Sequence, residues 1–329
     1  KLDKKGPINF LLSRIKFVKL IDEIKPDLIH IRSRWPALCF SGIIKRKRIP
    51  LVTTYHGTYS GSNLFFKRQY NKVMTSGDSV ITISKFIDGH VRHFFPENKK
   101  KLIQINRGID SNYFNLSSVS EIRKENFLSS LSIPENTHII LLPARITGWK
   151  GHDVAIDAIN YINKKKPELN FIMIFVGSED GKERFTKKLK KKIRKLKLEN
   201  KVNFCGNLND MPAVYSTADI VLSTSIEPEA FGRISAEASS MSKPIISSNH
   251  GGSREIIENN ITGWLVEPNN YESLGDKIIY VLELKQDKKD LIGKNARKRV
   301  IERFELKKML DRTIKVYEEL IERKENINN

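Results

Sequence analysis

Arg145 and Lys150 lie five positions apart in the run Ala144-Arg145-Ile146-Thr147-Gly148-Trp149-Lys150-Gly151. Arginine meets planar oxyanions with a fork of donors, and lysine acts as a mobile point charge. The glycines let backbone approach a ligand. The run joins a predicted strand at 138–143 to a helix starting near His152, whose first N–H groups add to the positive field. Together these groups suit a diphosphate. The Gly-x4-Gly-Lys-Ser/Thr spacing of a P-loop is absent. A solvated loop with incidental charges has the same composition, and the run alone weighs the two evenly.

A second constellation follows a predicted strand at 219–223: Glu227-Pro228-Glu229-Ala230-Phe231-Gly232-Arg233-Ile234-Ser235-Ala236-Glu237. Eight positions of helix separate two carboxylates by roughly 12 Å, too far for an acid/base pair acting on one bond. The spacing suits two ends of an elongated ligand rich in hydroxyls, to which carboxylates are strong acceptors. Each glutamate also has a plain alternative: a helix-start acid for Glu229, a surface or satisfied polar group for Glu237. A third run, Asn249-His250-Gly251-Gly252-Ser253-Arg254-Glu255, reads either as an anion-facing turn or as a simple capped turn. His56-Gly57 ends a predicted strand at 50–55. From the first half alone it is best read as a hydrogen-bonded loop histidine.

Short apolar strands alternate with amphipathic helices along the chain. Strands are predicted at 27–31, 50–55, 78–83, 101–106, 138–143, 170–176, 202–205, 219–223, 244–247 and 263–266. Helices are predicted at 8–24, 36–47, from Ser84, around 122–131, and at 152–166, 183–197, 212–217, 231–241 and 252–259. A last amphipathic helix is predicted over 302–324, with Phe304, Met309, Ile314, Tyr317 and Leu320 as its stripe. Such alternation specifies an α/β protein with parallel sheets and crossover helices, here two doubly wound domains. Ligands of these sheets bind beyond the carboxyl ends of the strands, where all the runs above fall. The change of texture near Asn115 places the domain boundary at 114/115.

The chain has 329 residues, 39% hydrophobic and 29% charged, with a formal net charge of +20. That length supports two domains with separate cores. No run approaches the ~18 apolar residues of a spanning helix. Cys39 and Cys205 are the only cysteines and form neither a disulfide framework nor a metal spacing, which points to a reducing cytoplasm. The lysines are spread over the whole chain, so solvated surface charge takes a large share of the excess. Attraction to an anionic membrane is the next reading, through residues 45–48 and 99–101. Nucleic-acid binding is disfavoured, because aromatic residues are not interleaved with the basic runs. The basic helix at 183–197 carries Phe185, Leu189, Ile193 and Leu196 as an apolar stripe, as a solvated domain helix would.

These residues, taken together, resemble the retaining glycosyltransferases of family 4. The order Arg145-x4-Lys150-Gly151, Phe204-Cys205-Gly206, Glu229-x-Phe231-Gly232-x4-Glu237-Ala238, Gly251-Gly252-x-x-Glu255 and Asn260-x-x-Gly263 through Pro268 follows the family pattern with similar spacing. Asp27-Leu28-Ile29-His30, His56-Gly57, Ser84-Lys85-Phe86 and Arg107-Gly108-Ile109-Asp110 extend it to the first half. Arg107 replaces the family's usual Asn.

The resemblance implies the GT-B fold: two Rossmann-like, doubly wound domains with the active site in the cleft between them. The domains are expected at 1–114 (acceptor side) and 115–301 (nucleotide-sugar side), with a helix at 302–329 crossing back to the first. It implies that Arg145 and Lys150 hold the donor diphosphate, that Glu237 binds the ribose and Glu229 the donor sugar. The backbone of Phe231, Gly232 and Arg233 would lie beside sugar and phosphate, Gly206 and Asn207 near the base, and His56 toward the donor sugar. No metal or other cofactor is implied. The family's opening strand and Gly-rich loop are not found after Lys1, so the first domain is expected to be incomplete at its start. The implied activity is transfer of a hexose from a nucleotide-sugar to a glycan or lipid-linked acceptor in envelope synthesis, on the cytoplasmic side or peripherally at the membrane. The rivals are a basic nucleic-acid- or membrane-binding protein without activity, and another GT-B enzyme such as a nucleotide-sugar epimerase.

Overall fold

The computed structural model describes residues 6–59, 64–129, 131, 133–134 and 136–328. Its contacts divide the chain into two units, Lys1–Arg107 with Lys307–Asn329, and Gly108–Leu306.

In the first unit four short strands, β1 (Ile29–Ile31), β2 (Leu51–Tyr55), β3 (Ser79–Thr82) and β4 (Leu102–Gln104), form a parallel sheet. Among the described residues they lie in the order β1-β2-β3-β4. All five residues of β2 are buried, as expected for a strand covered on both faces.

The final helix, Leu306–Asn328, belongs to this unit beyond its first residue. Its Val316 and Leu320 are buried with Val52, Ile81 and Ile105 of the sheet, and Met309 and Tyr317 pack against that cluster. Polar bonds fix the docking: the Tyr317 hydroxyl meets His30 Nδ1 at 2.6 Å, and Arg312 donates to the carbonyl of Gln104 at 2.7 Å. The opening helix Pro7–Ile24 has a weaker seat. Ile21 is buried, but Leu11 and Ile15 are exposed.

The second unit holds a six-stranded parallel sheet of β5 (His138–Leu142), β6 (Phe171–Phe175), β7 (Val202–Phe204), β8 (Ile220–Ser223), β9 (Ile245–Ser248) and β10 (Trp264–Val266). The spatial order is β10-β9-β8-β5-β6-β7. The chain winds outward from β5 to β7, then returns to lay β8 against the other side of β5. This is the doubly wound Rossmann order, and its switch point lies between β5 and β8. The continuous apolar runs of β5 and β6, buried at Ile139–Leu142 and Phe171–Phe175, suit strands enclosed on both faces.

The boundaries fall at 107/108 and 306/307 rather than at 114/115 and 301/302, for a reason of backbone bonding. Ile109 N–H donates to Phe304 O at 2.8 Å and Leu306 N–H to Ile109 O at 2.9 Å. Arg297 donates to the carbonyls of Ser111 and Phe114 at 3.2 and 3.0 Å. Residues 108–114 are thereby tied to the second unit. The same bridge draws Glu305 into an extended conformation and ends the helix Gln286–Phe304 there. Phe304, read as part of the final helix's stripe, instead packs on Phe231 at 5.9 Å.

Candidate functional site

The loops after β5 and β8 meet at the switch point. Ile226 N–H donates to Trp149 O at 2.8 Å, and Thr224 Oγ1 donates to Lys150 O at 3.1 Å. Gly151 makes this approach possible. It has φ 75°, and a Cβ there would lie 1.9 Å from Thr224 O. The helix His152–Lys165 then starts from Gly151, and the helix Arg233–Ser240 starts from Gly232, which has φ 88°. Neither start has a side-chain cap among the described residues, so both present N–H donors and the positive end of a helix dipole.

Across this junction Lys150 Nζ lies 2.6 Å from Glu229 Oε1. Both side chains are largely buried, and Ser225 Oγ donates to the same carboxylate oxygen. Trp149 covers the ammonium at 4.2 Å from its ring centroid, a cation–π contact. Arg145 stands exposed on the same loop. About one turn into the helix Arg233–Ser240, Glu237 is 7% exposed. It accepts from Tyr215 Oη at 2.8 Å and from Arg233 Nε at 2.5 Å. Burial and this carboxylate raise the Tyr215 hydroxyl pKa well above its ordinary value, so Tyr215 is a fixed donor. The Glu237 carboxylate in turn raises the Arg233 pKa. Each oxygen of Glu237 retains a further lone pair for a ligand hydroxyl.

The glycine pair after β9 has a positioning role. A Cβ on Gly252 would fall 2.4 Å from Phe231 O, and Gly252 N–H donates to Glu229 O at 2.8 Å. The loop thus lies directly on the segment bearing Glu229. Phe231 buries its ring and leaves its backbone beside Gly232.

Of the residues singled out by sequence, Arg145, Lys150, Glu229, Phe231, Gly232, Arg233 and Glu237 are carried by the two switch-point loops and the helix after β8. Gly206 and Asn207 follow edge strand β7, two strands away from β5, where Gly206 O accepts from Gly177 N–H at 2.7 Å. His56 belongs to the first unit, one residue past β2. Burial, then Arg32 and Arg107, lower its pKa to about 4, so it is neutral at pH 7. Sequence reasoning passed over Trp149, Tyr215 and Ser225, which hold the key charges; single aromatic or hydroxyl residues in such loops have no distinguishing spacing. His152, at the helix start, is fully buried against Phe175, and burial lowers its pKa to about 4.

Comparison with known proteins gives the family and the fold. Residues 123–299 match the family model described as glycosyl transferases group 1, and residues 2–113 match that of glycosyltransferase family 4. The chain belongs to this family of GT-B glycosyltransferases. An uncharacterized glycosyltransferase of Methanocaldococcus jannaschii is 28% identical over 89% of this chain and 75% of its own length. The crystal structure of a Rickettsia africae glycosyltransferase superposes with a TM-score of 0.87 at 36% identity, covering 97% of this chain and 83% of that one. Anabaena HepE in complex with UDP superposes with a TM-score of 0.81 at 25% identity, covering 93% and 82%. The protein is an enzyme of the glycosyltransferase class. Among the described residues no helix is long and apolar enough to cross a membrane.

Proposed function

We propose that the protein moves a hexose from a nucleoside-diphosphate sugar to a glycan or lipid-linked acceptor, with retention of anomeric configuration, in the synthesis of an envelope polysaccharide or lipopolysaccharide. The observation that carries the donor half of this proposal is the Lys150–Glu229 pair across the β5/β8 switch point, flanked by two uncapped helix starts. The UDP complex of HepE supports a uridine-type donor.

In this proposal Arg145 and Lys150 face the leaving diphosphate. As the C1–O bond breaks, negative charge grows on the phosphate oxygens. Fixed cations and helix N–H groups bind that charge more strongly in the transition state than in the ground state. Glu229 takes hydroxyls of the donor sugar, Glu237 those of the ribose, and Gly206 and Asn207 neighbour the base. The two cations take the role that a divalent metal has in metal-dependent transferases, so chelation is expected to leave turnover unchanged. The basic residues of 45–48 and 99–101, all exposed but the half-buried Lys101, favour work at the cytoplasmic face of an anionic membrane.

The test is a donor panel scored by nucleotide release, followed by NMR of the product linkage. An α-linked product from an α-linked donor is expected. A β-linked product would overturn retention, and release confined to water as acceptor would overturn transfer.

A further inference from the structure

The helix Phe65–Lys72 of the first unit opens on apolar side chains that its own unit leaves uncovered. Leu64 is 57% exposed, Phe65 69% and Phe66 86%, and Phe66 is the most exposed large apolar side chain among the described residues. The two rings meet edge to face with centroids 5.5 Å apart. Contiguous apolar patches on a protein surface mark contact sites, whereas single exposed apolar residues do not. Positive charge borders this patch from two segments. Lys67 follows it directly and is exposed. Arg68, one turn beyond Phe65 on the same face, donates to Phe94 O at 2.6 Å and lies 5.9 Å from the Phe95 ring. Lys72 pairs with Glu97 at 2.9 Å. These bonds lay the helix along the turn Pro96–Lys101, whose one acid, Glu97, is thereby taken. Lys99 and Lys100 of that turn are exposed.

A partner must take the aromatic tip and the cations together. A second copy of the chain is a poor match, because a two-fold contact over Phe65 and Phe66 sets these cations against their own copies, with a net charge of +20 on each chain. A soluble polyanion would meet the lysines and leave the rings in water. An anionic bilayer meets both: aromatic rings settle among the headgroups, and the lysines lie against anionic lipid. A single anchoring signal binds a bilayer only weakly, whereas an apolar anchor joined to a basic patch holds. We infer that Leu64, Phe65 and Phe66 enter the interface of an anionic lipid bilayer, with Lys67, Lys99 and Lys100 on its headgroups. This rests on the membrane part of the proposed function, and adds an inserted apolar anchor to what was there surface charge alone.

The experiment uses the full chain and vesicles of phosphatidylcholine, alone or mixed with phosphatidylglycerol. Co-sedimentation of the wild type is expected with the mixed vesicles and not with phosphatidylcholine alone. The double variant Phe65→Ser with Phe66→Ser should weaken binding about tenfold, and Lys99→Gln with Lys100→Gln about tenfold as well. Leu291→Ser, at an exposed apolar residue of the helix Gln286–Phe304, should change it less than about twofold. All the side chains replaced are exposed, and urea midpoints check that each variant is folded. Phe66→Trp supplies a second readout: its added fluorescence should shift to the blue on the mixed vesicles and be quenched by phosphatidylcholine brominated on the acyl chains. Mixed-vesicle binding unchanged by the phenylalanine variant, weakened equally by Leu291→Ser, or without quenching of Phe66→Trp overturns the inserted anchor and leaves the electrostatic reading standing. No binding of the wild type to mixed vesicles overturns both. In lipid-free sedimentation velocity the wild type and the phenylalanine variant should match; a dimer lost in the variant would make the occupant a second copy and overturn the inference.

Discussion

Lys150 Nζ and Glu229 Oε1 stand 2.6 Å apart, joining the loops that follow two strands adjacent in space but distant in sequence. A pair so largely buried is costly to break from one side, because the remaining charge is left without a partner. Lys150→Met is therefore expected to lower stability by about 3 kcal/mol in urea unfolding. Lys150→Met with Glu229→Leu should recover much of that loss while still failing to bind donor. A double variant as unstable as the sum of the singles would show that the pair does not couple.

Gly151 sets the distance between the same loops. Gly151→Ala places a methyl group 1.9 Å from Thr224 O at a left-handed φ of 75°, so backbone must move. The expected outcome is a stability loss of about 2–4 kcal/mol together with a fall in UDP affinity. Gly148→Ala is the control, since a Cβ there meets nothing within 4 Å. Equal behaviour of the two variants would contradict the close approach.

Glu237 is presented by Tyr215 and Arg233. If its remaining lone pairs serve ribose hydroxyls, the wild type should prefer UDP to 2′,3′-dideoxy-UDP, and Glu237→Gln should shrink that preference by about tenfold. Tyr215→Phe should lower stability by about 1–2 kcal/mol, because the buried carboxylate loses a donor. A ribose preference untouched by Glu237→Gln would move the ribose elsewhere.

The site's position was largely legible in the sequence, and its wiring was not. All ten described strands were predicted within two residues of their observed ends, because apolar runs such as 139–142 and 171–175 are short, β-branched and bounded by polar turns. The boundary was displaced by seven residues, since what binds 108–114 to the second unit is backbone bonding to Phe304 and Leu306, invisible to composition. The helices Phe65–Lys72, Tyr271–Glu283 and Gln286–Phe304 were not singled out. The last is long but mostly polar, with six buried residues, so its periodicity is faint. Charge pairing escaped for a similar reason: a spacing of 79 residues gives no sign that Lys150 will meet Glu229.

His152 gives a pH dependence with a definite sign. Its pKa is lowered from 6.5 to about 4, chiefly by burial, so the native state binds fewer protons than the unfolded state between those values. The stability it confers is fully present above pH 6.5 and is lost as pH falls toward 4. Between pH 6.5 and 5 the loss should be about 2 kcal/mol from this group. His152→Asn should reduce the difference in urea midpoint between pH 7 and pH 5. An unchanged difference would show that His152 does not titrate out of its buried state in this range.

The most direct measurement is calorimetric titration of the full chain with UDP, alongside Arg145→Ala and Lys150→Ala. Saturable binding by the wild type, weakened at least about tenfold in each variant, is the result predicted for a diphosphate held at the β5/β8 switch point. Wild-type UDP affinity in both variants would contradict that site.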